Sequence, residues 1–400
     1  QPIRTLGSMG HFNPEAIMPD IKPVSNELVN VNWPLEEQAS DQFNIAGGWG
    51  SGTFVGSVGI TLNNLSVKNF FKKGAWRPYP MGQNQRLSVS AQTNGTYYKA
   101  FALSFTDPWL GGKKPNSFTI SAHFSEQNNA YYVWQKSTQY FRTYGVAAGL
   151  GKRLNWPDPY FTLYGEASYE RFSLKNWNTF GMTNGAANLL SLKLVFARNS
   201  VDQPIYPRRG SELHLSAIYV AGRDKYQPYD AKDFVSRETR QWFGGRFSWD
   251  KFFDVPGVSW FSFGLNVDAV WTNHPRFRTE SATLMSMPDY APVPHARMIY
   301  MPDFRGKRFA AWGLMPTFDL LPNCFFRTGF YTMFREKRDF NPLKNPDERW
   351  HYIAEASLVY HTPIGPVSLA LTKYDLKNWR NMYLTFNFGY AIFAPKGTFY

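Results

Sequence analysis

Residues 381–393 read NMYLTFNFGYAIF, and this stretch near the end of the chain decides the fold. Leu384, Phe386 and Phe388 alternate with Thr385 and Asn387, so an extended strand here has one apolar face and one small, polar face. Such a period of two over about ten residues predicts a strand between lipid and a water-filled lumen. Because unpaired backbone groups are costly in hydrocarbon, we expect this last strand to pair with the first and close a barrel.

The composition agrees with a membrane barrel. Phe, Tyr and Trp make up 18% of the 400 residues, yet the mean hydropathy is only -0.41. No run of about 18 consecutive apolar residues occurs, which excludes a transmembrane helix. Barrel strands hide their apolar face in alternation and carry aromatic residues at both membrane interfaces, so low hydropathy and many aromatic residues are compatible in this class.

Alternating segments recur along the chain, separated by clusters of Asn, Gly, Pro and Lys. We count sixteen of them between residues 41–48 and 382–392, and an even number is typical of single-chain bacterial barrels. The middle strands are predicted at residues 189–198, 212–220 and 241–252. Short turns alternate with longer connections, of which the longest are predicted at residues 178–187, 221–240 and 272–308. Residues 41–400 are therefore predicted to form a 16-stranded antiparallel transmembrane β-barrel.

Residues 1–40 differ from the rest of the chain. Residues 4–17 include a possible short helix, two prolines follow, and residues 28–33 (LVNVNW) alternate as a strand. This pattern indicates the end of a small α/β module that precedes the barrel.

Catalytic and metal-binding patterns are absent from the sequence. Cys324 is the single cysteine, the seven histidines show no metal-ligand spacing, and neither GxSxG nor HExxH occurs. We therefore expect no catalytic residue, no metal and no cofactor. The formal charge of +13 is scattered along the chain, which favours attraction to anionic lipid headgroups over nucleic-acid binding.

Several stretches resemble the BamA family, which assembles β-barrel proteins in bacterial outer membranes. Residues 41–71, DQFNIAGGWGSGTFVGSVGITLNNLSVKNFF, resemble its first two strands, and SFTDPWLGGKKPNSF at 104–118 resembles its fourth strand and turn. RNSVDQPIYPRRGSEL at 198–213 is similar to the Asp-x-x-(x)-Pro-x-x-Gly turn of the family. GPVSLAL at 365–371 and FNFG at 386–389 are similar to its final hairpin. The resemblance implies that residues 1–40 are the end of a periplasmic POTRA domain.

This resemblance implies a protein-insertion function through a lateral gate between the first and last strands. Glycine weakens strand packing, and the first strands are rich in it. We expect the gate at Phe43, Ile45, Gly47 and Gly48 on one strand and Phe386, Phe388, Gly389 and Tyr390 on the other. The implied partners are nascent outer-membrane β-barrel proteins, accessory assembly lipoproteins or surface-lipoprotein subunits, and outer-membrane lipid and lipopolysaccharide.

The family also carries a Val-Arg-Gly-Phe/Tyr motif on an extracellular loop that folds back into the lumen and binds acidic residues of the wall. The corresponding stretch here is MPDFRGKRF, in which Phe304, Arg305 and Gly306 form the expected lid loop. Glu355 is the nearest candidate partner for Arg305. The alternative role for Arg305 is that of an ordinary rim or lumen arginine.

Residues 241–335 look partly like the barrels that follow patatin-like phospholipase domains. This similarity leaves a second function open, that of a translocation pore in an autotransporter or secretion system. Assembly requires the seam to part, whereas a pore uses its lumen as the conduit. The two functions are therefore distinguished by whether activity survives when the seam is locked.

Overall fold

A computed structural model gives the structure of the chain. It describes residues 20–23, 29–32, 41–50, 53–76, 78–95, 98–112, 114–128, 138–176, 182–202, 207–228, 235–275, 284, 286–299, 301–337, 349–362, 365–375 and 382–388. Two short strands, β1 (Asp20–Pro23) and β2 (Val29–Asn32), come first and pair antiparallel with each other. The second of these lies within the strand predicted at residues 28–33. The helix predicted within residues 4–17 lies outside the described residues, and the assignment of residues 1–40 to a periplasmic module stays a prediction.

Sixteen further strands form one closed barrel, as predicted. Each strand pairs antiparallel with its two neighbours, and the last strand pairs with the first. The barrel strands are β3 (Gln42–Gly50), β4 (Thr53–Leu65), β5 (Gln85–Thr93), β6 (Tyr98–Asp107), β7 (Asn116–Asn128), β8 (Tyr140–Arg153), β9 (Phe161–Lys175), β10 (Met182–Asn199), β11 (Gly210–Pro228), β12 (Val235–Val255), β13 (Val258–Thr272), β14 (Arg308–Leu321), β15 (Cys324–Arg335), β16 (Trp350–Thr362), β17 (Gly365–Tyr374) and β18 (Met382–Phe388).

The last strand shows the alternation that its sequence predicts. Leu384 and Phe386 are 49% and 46% exposed on the outer face, whereas Thr385 and Asn387 are 0% and 7% exposed on the inner face. Apolar residues of neighbouring strands lie outside in the same way. The outer surface is therefore the lipid-facing one, and the small and polar residues of these strands face the lumen.

Three strands in the middle of the chain are longer than their apolar alternation indicates. β10, β11 and β12 have 18, 19 and 21 residues. The long connection predicted at 221–240 is therefore wrong, and Met182 begins β10 inside the one predicted at 178–187. The ladder continues through polar residues such as Arg223 and Asp224, which pair with β12. Backbone pairing beyond the hydrocarbon needs no apolar side chain, so hydrophobic alternation underestimates the lengths of these strands.

The predicted long connection between β13 and β14 is confirmed. Its described residues include a short helix, α1 (Pro294–Met298), and a 3-10 turn at Pro302–Phe304. Proline occupies the first turn of each, where its missing N–H costs no hydrogen bond. No helix in the described part of the chain is long and apolar enough to cross a membrane.

Candidate functional site

The seam between β18 and β3 has the shortest described ladder of the barrel. Six residues of each strand pair, from Tyr383 opposite Gly50 to Phe388 opposite Ile45. The described ladder between β3 and β4 has nine such pairs, and that between β10 and β11 has seventeen. Backbone hydrogen bonds grow in number with ladder length, so the described part of the seam, which extends to Phe388, has the fewest of them.

Five of the eight predicted gate residues meet across this seam. Ile45 lies opposite Phe388, Gly47 lies opposite Phe386, and Gly48 lies opposite Thr385. Phe43 is also on β3, with its side chain exposed on the outer face. Gly389 and Tyr390 lie outside the described residues.

The described residues of the connection between β13 and β14, residues 273–307, pack into the barrel; we call this connection the lumenal loop. Tyr290, Val293, Ala296 and Phe304 are buried in one apolar cluster with inward-facing residues of the wall. The wall residues of this cluster are Phe252, Val270, Phe309, Ala311, Met315, Tyr331, Met333, Ile353 and Tyr374. This part of the lumen is therefore a packed core, and β12 to β17 are apolar where they line it.

The predicted lid residues lie in the second half of the lumenal loop. Phe304 packs edge to face against the ring of Tyr374, with centroids 5.7 Å apart. The Arg305 guanidinium donates to the carboxylate of Asp289 at 3.0 Å and to the Met287 carbonyl at 3.0 Å. The backbone N–H of Gly306 donates to the Pro288 carbonyl. These contacts of Arg305 and Gly306 tie the loop to itself.

Glu355 lies on β16 and accepts a hydrogen bond from the Thr372 hydroxyl at 3.1 Å. The positive charges that act on its carboxylate are those of Arg327 on β15 and Arg297 on α1. A pairing of Arg305 with Glu355 stays a prediction. Arg297 is a cation of the lumenal loop that acts on several carboxylates of the wall. Besides Glu355, its charge acts on Glu212 of β11 and Asp250 of β12.

A tyrosine joins the lumenal loop to a polar row of the wall. The Tyr290 hydroxyl donates to Asn266 on β13 at 2.7 Å, and the Asn266 amide donates to Asp250 on β12 at 2.7 Å. Next to this row, Arg246 and Asp268 form a buried ion pair across β12 and β13. Each of these bonds satisfies a polar group that is removed from bulk water, so the loop has a specific docked position.

His295 on α1 reaches both strands of the seam from the lumen. Its Nδ1 lies 2.9 Å from the Tyr374 hydroxyl on β17, and its ring centroid lies 4.4 Å from that of Tyr383 on β18. Its Cδ2 lies 3.2 Å from the position that a Cβ on Gly48 of β3 would occupy. Nearby, Ile299 packs against the small cluster that Ala46 of β3 forms with Val55 of β4. The lumenal loop thus braces the seam from inside.

Sequence reasoning missed the bracing role of His295, because a lone histidine in a long connection carries no pattern. A signal for the docked loop does exist in the sequence. Met315, Met333 and Ile353 are apolar at positions that the period of two assigns to the lumen. A strand that is apolar on both faces must have its lumenal face covered, here by the loop. Among the described residues, no group of His, Cys, Asp or Glu has an arrangement that could hold a metal ion.

Comparison with known proteins gives a consistent result. Residues 81–257 match the model of the Omp85 superfamily domain. No curated protein sequence matches the chain.

Three solved barrels share the fold. A BamA structure from Haemophilus ducreyi lacking POTRA domains 1–3 aligns with a TM-score of 0.55 at 15% identity, over 96% of this chain and 77% of that one. CdiB from Acinetobacter baumannii aligns at 0.58 and 11% identity, over 92% of this chain and 64% of that one. CdiB from Escherichia coli aligns at 0.57 and 12% identity, over 95% and 69%. The chain therefore spans about two thirds to three quarters of the lengths of these proteins.

Proposed function

We propose that this chain, a BamA-like outer-membrane barrel of the Omp85 superfamily, inserts and folds β-barrel proteins through a lateral gate between β3 and β18. The observation that carries the proposal is the seam itself. Its described ladder of six residue pairs runs past Gly47 and Gly48. An incoming strand pairs with the exposed edge of β3 or β18 by β-augmentation once the seam has parted.

The energetics favour exchange of partners over a free opening. At a net value of about 0.5–1.5 kcal/mol for each hydrogen bond, the six described pairs contribute roughly 3–9 kcal/mol to the seam. In lipid, an unsatisfied backbone group costs several kcal/mol, so an empty open edge is strongly disfavoured. A client strand supplies the missing partners, and it therefore lowers the cost of parting the seam.

The packed lumen argues against an open conduit as the resting state. Tyr290, Val293 and Phe304 are buried against the wall, and full burial of such a side chain is worth about 1.5–3 kcal/mol. A pore would have to release the lumenal loop before it could transport through this part of the lumen. The translocation pore remains the alternative function, and the barrel fold is common to both.

The partners follow from the same proposal. The clients are nascent outer-membrane β-barrel proteins, and the barrel is surrounded by outer-membrane lipid and lipopolysaccharide. Residues 1–40 would then form the end of a periplasmic POTRA domain, on which accessory lipoproteins dock. In this arrangement β3 begins at the periplasmic end of the barrel and the lumenal loop enters from the extracellular end.

The test is a disulfide lock across the seam in a Cys324→Ser background. Ala46 and Asn387 are paired and face the lumen, so the double variant Ala46→Cys/Asn387→Cys places two thiols at cross-strand distance. We expect oxidation to stop insertion of a client barrel into proteoliposomes, and reduction to restore it. The matched control locks Val359 to Ser368, a buried pair between β16 and β17, and should leave insertion unchanged.

Normal insertion through the oxidised seam would refute the gate. The pore would instead be supported by ion conductance that appears only when the lumenal loop is released and that persists when the seam is locked by the disulfide. The control lock also reports whether any cross-strand disulfide harms the barrel in general.

A further inference from the structure

The connection between β4 and β5 presents large apolar side chains to the outside. Phe71 is 94% exposed, and Val67, Phe70 and Trp76 are 50%, 42% and 55% exposed. Three exposed lysines lie between them, at Lys68, Lys72 and Lys73. We call residues 66–76 the aromatic–lysine loop. Its composition of exposed rings and cations is that of a membrane-surface segment.

The aromatic–lysine loop is held rigidly in this exposed form. Ser66 caps its 3-10 turn by accepting from the Asn69 N–H, and the Trp76 indole donates to the Phe70 carbonyl at 3.1 Å. The Phe70 ring packs edge to face against Phe71 and Trp76, with centroids 5.4 Å and 4.9 Å apart. These bonds fix the rings outward, so their exposure is built into the fold.

The length of β4 places this loop at headgroup depth. Its 13 residues extend about 43 Å at roughly 3.3 Å per residue. A tilt of about 45° converts this to roughly 30 Å along the membrane normal, which is the thickness of the hydrocarbon core. Val58 and Ile60 continue the lipid-facing surface of β4 toward the loop. Ser66, directly after β4, therefore lies at the boundary between hydrocarbon and headgroups.

We propose that the aromatic–lysine loop is a phospholipid-binding anchor, with Phe71 and Trp76 inserted at the headgroup boundary and the three lysines bound to lipid phosphates. The charge complementarity and the continuity with the lipid-facing barrel surface both favour phospholipid over a protein partner. The connection that carries the loop is also tied to the residue directly before the first barrel strand, because the Tyr79 hydroxyl donates to the carboxylate of Asp41 at 2.6 Å and 2.8 Å. The anchor thus holds the start of β3, next to the seam, at a fixed membrane depth.

Depth-dependent fluorescence quenching tests this inference in the whole barrel. Phe71→Cys in the Cys324→Ser background is labelled with a polarity-sensitive fluorophore, and the protein is placed in nanodiscs of phosphatidylcholine with phosphatidylglycerol. We expect lipids with nitroxide at the headgroup boundary to reduce the emission at least twofold. The reference site is Lys114, an exposed lysine in the β6–β7 connection at the same end of the barrel as the aromatic–lysine loop. We expect aqueous iodide to quench the fluorophore at position 71 at least threefold less than the same fluorophore at Lys114→Cys.

A second variant tests the lysines separately. With Lys68, Lys72 and Lys73 present, we expect the quenching at position 71 by nitroxide lipid to fall at least by half when phosphatidylglycerol is left out of the nanodiscs. In Lys68→Gln/Lys72→Gln/Lys73→Gln, we expect this quenching to be equal with and without phosphatidylglycerol. Equal quenching by iodide at positions 71 and 114, in nanodiscs that contain the barrel and lipid but no other protein, would overturn the proposal. The exposed rings would then be a surface for a protein partner.

Discussion

Replacement of His295 by alanine tests how the lumenal loop braces the seam. The variant loses the hydrogen bond to Tyr374 and the ring contact with Tyr383. A buried hydrogen bond contributes about 0.5–1.5 kcal/mol, and an aromatic pair contributes about 0.5–1.5 kcal/mol beyond its buried area. We expect the docked loop to lose roughly 1–3 kcal/mol, which corresponds to an increase of about 5- to 150-fold in the released population.

Thiol labelling measures this population. Val293 in the same loop is fully buried, so Val293→Cys in the Cys324→Ser background reacts with a maleimide only when the loop is released. We expect His295→Ala to raise the labelling rate by the same factor of about 5 to 150. His214→Ala is the control, since His214 lies on β11 and bonds to Glu212 at 2.8 Å. An unchanged rate in His295→Ala, or an equal increase in His214→Ala, would refute the bracing role.

Three further predictions follow from the same contacts. Burial lowers the pKa of His295 to about 4, so protonation opposes docking, and the docked loop should lose about 2 kcal/mol between pH 7.5 and pH 5. Because the thiolate that reacts with maleimide also becomes rarer at low pH, the measurement is the labelling rate of Val293→Cys relative to that of a free thiol at the same pH. This ratio should rise at low pH, and the rise should be absent in His295→Ala. Arg305→Ala removes two hydrogen bonds inside the lumenal loop and should raise the labelling rate of Val293→Cys about tenfold. An unaltered rate would show that Arg305 does not stabilise the docked loop. Gly313→Ala places a Cβ against the Tyr331 ring, so we expect a loss of about 1–3 kcal/mol in barrel stability by urea unfolding. The control is Gly165→Ala, which should cause no such loss because a Cβ there meets nothing within 4 Å.

The barrel itself could be predicted from the sequence because its strands obey one local rule. Alternation of outward apolar with inward small residues, as in Leu384 to Asn387, marks each membrane-spanning part, and turn residues mark its ends. That rule stops where the hydrocarbon stops. The parts of β11 and β12 beyond the hydrocarbon therefore resemble a loop in sequence, although Arg223 and Asp224 are paired in the sheet.

The bracing of the seam could not be predicted in the same way. His295 and Tyr374 are 79 positions apart, and Gly48 is near the other end of the chain. Only closure of the barrel brings these three residues together. The resemblance to a known loop motif singled out Phe304, which is buried against inward-facing residues of the wall, while its role in a lid stays a prediction. The polar contact of the neighbouring Arg305 depends on the backbone course of the loop, which no local pattern encodes.

The most direct test of the account is the distance across the seam while a client is being inserted. Spin labels at Ile45→Cys on β3 and Leu384→Cys on β18 lie on the outer face and report this distance by pulsed electron resonance. The account predicts a short distance in the barrel alone and a second population in the presence of an unfolded client barrel. That population should be longer by at least one strand spacing, about 5 Å. A single short distance during active insertion would contradict the lateral gate.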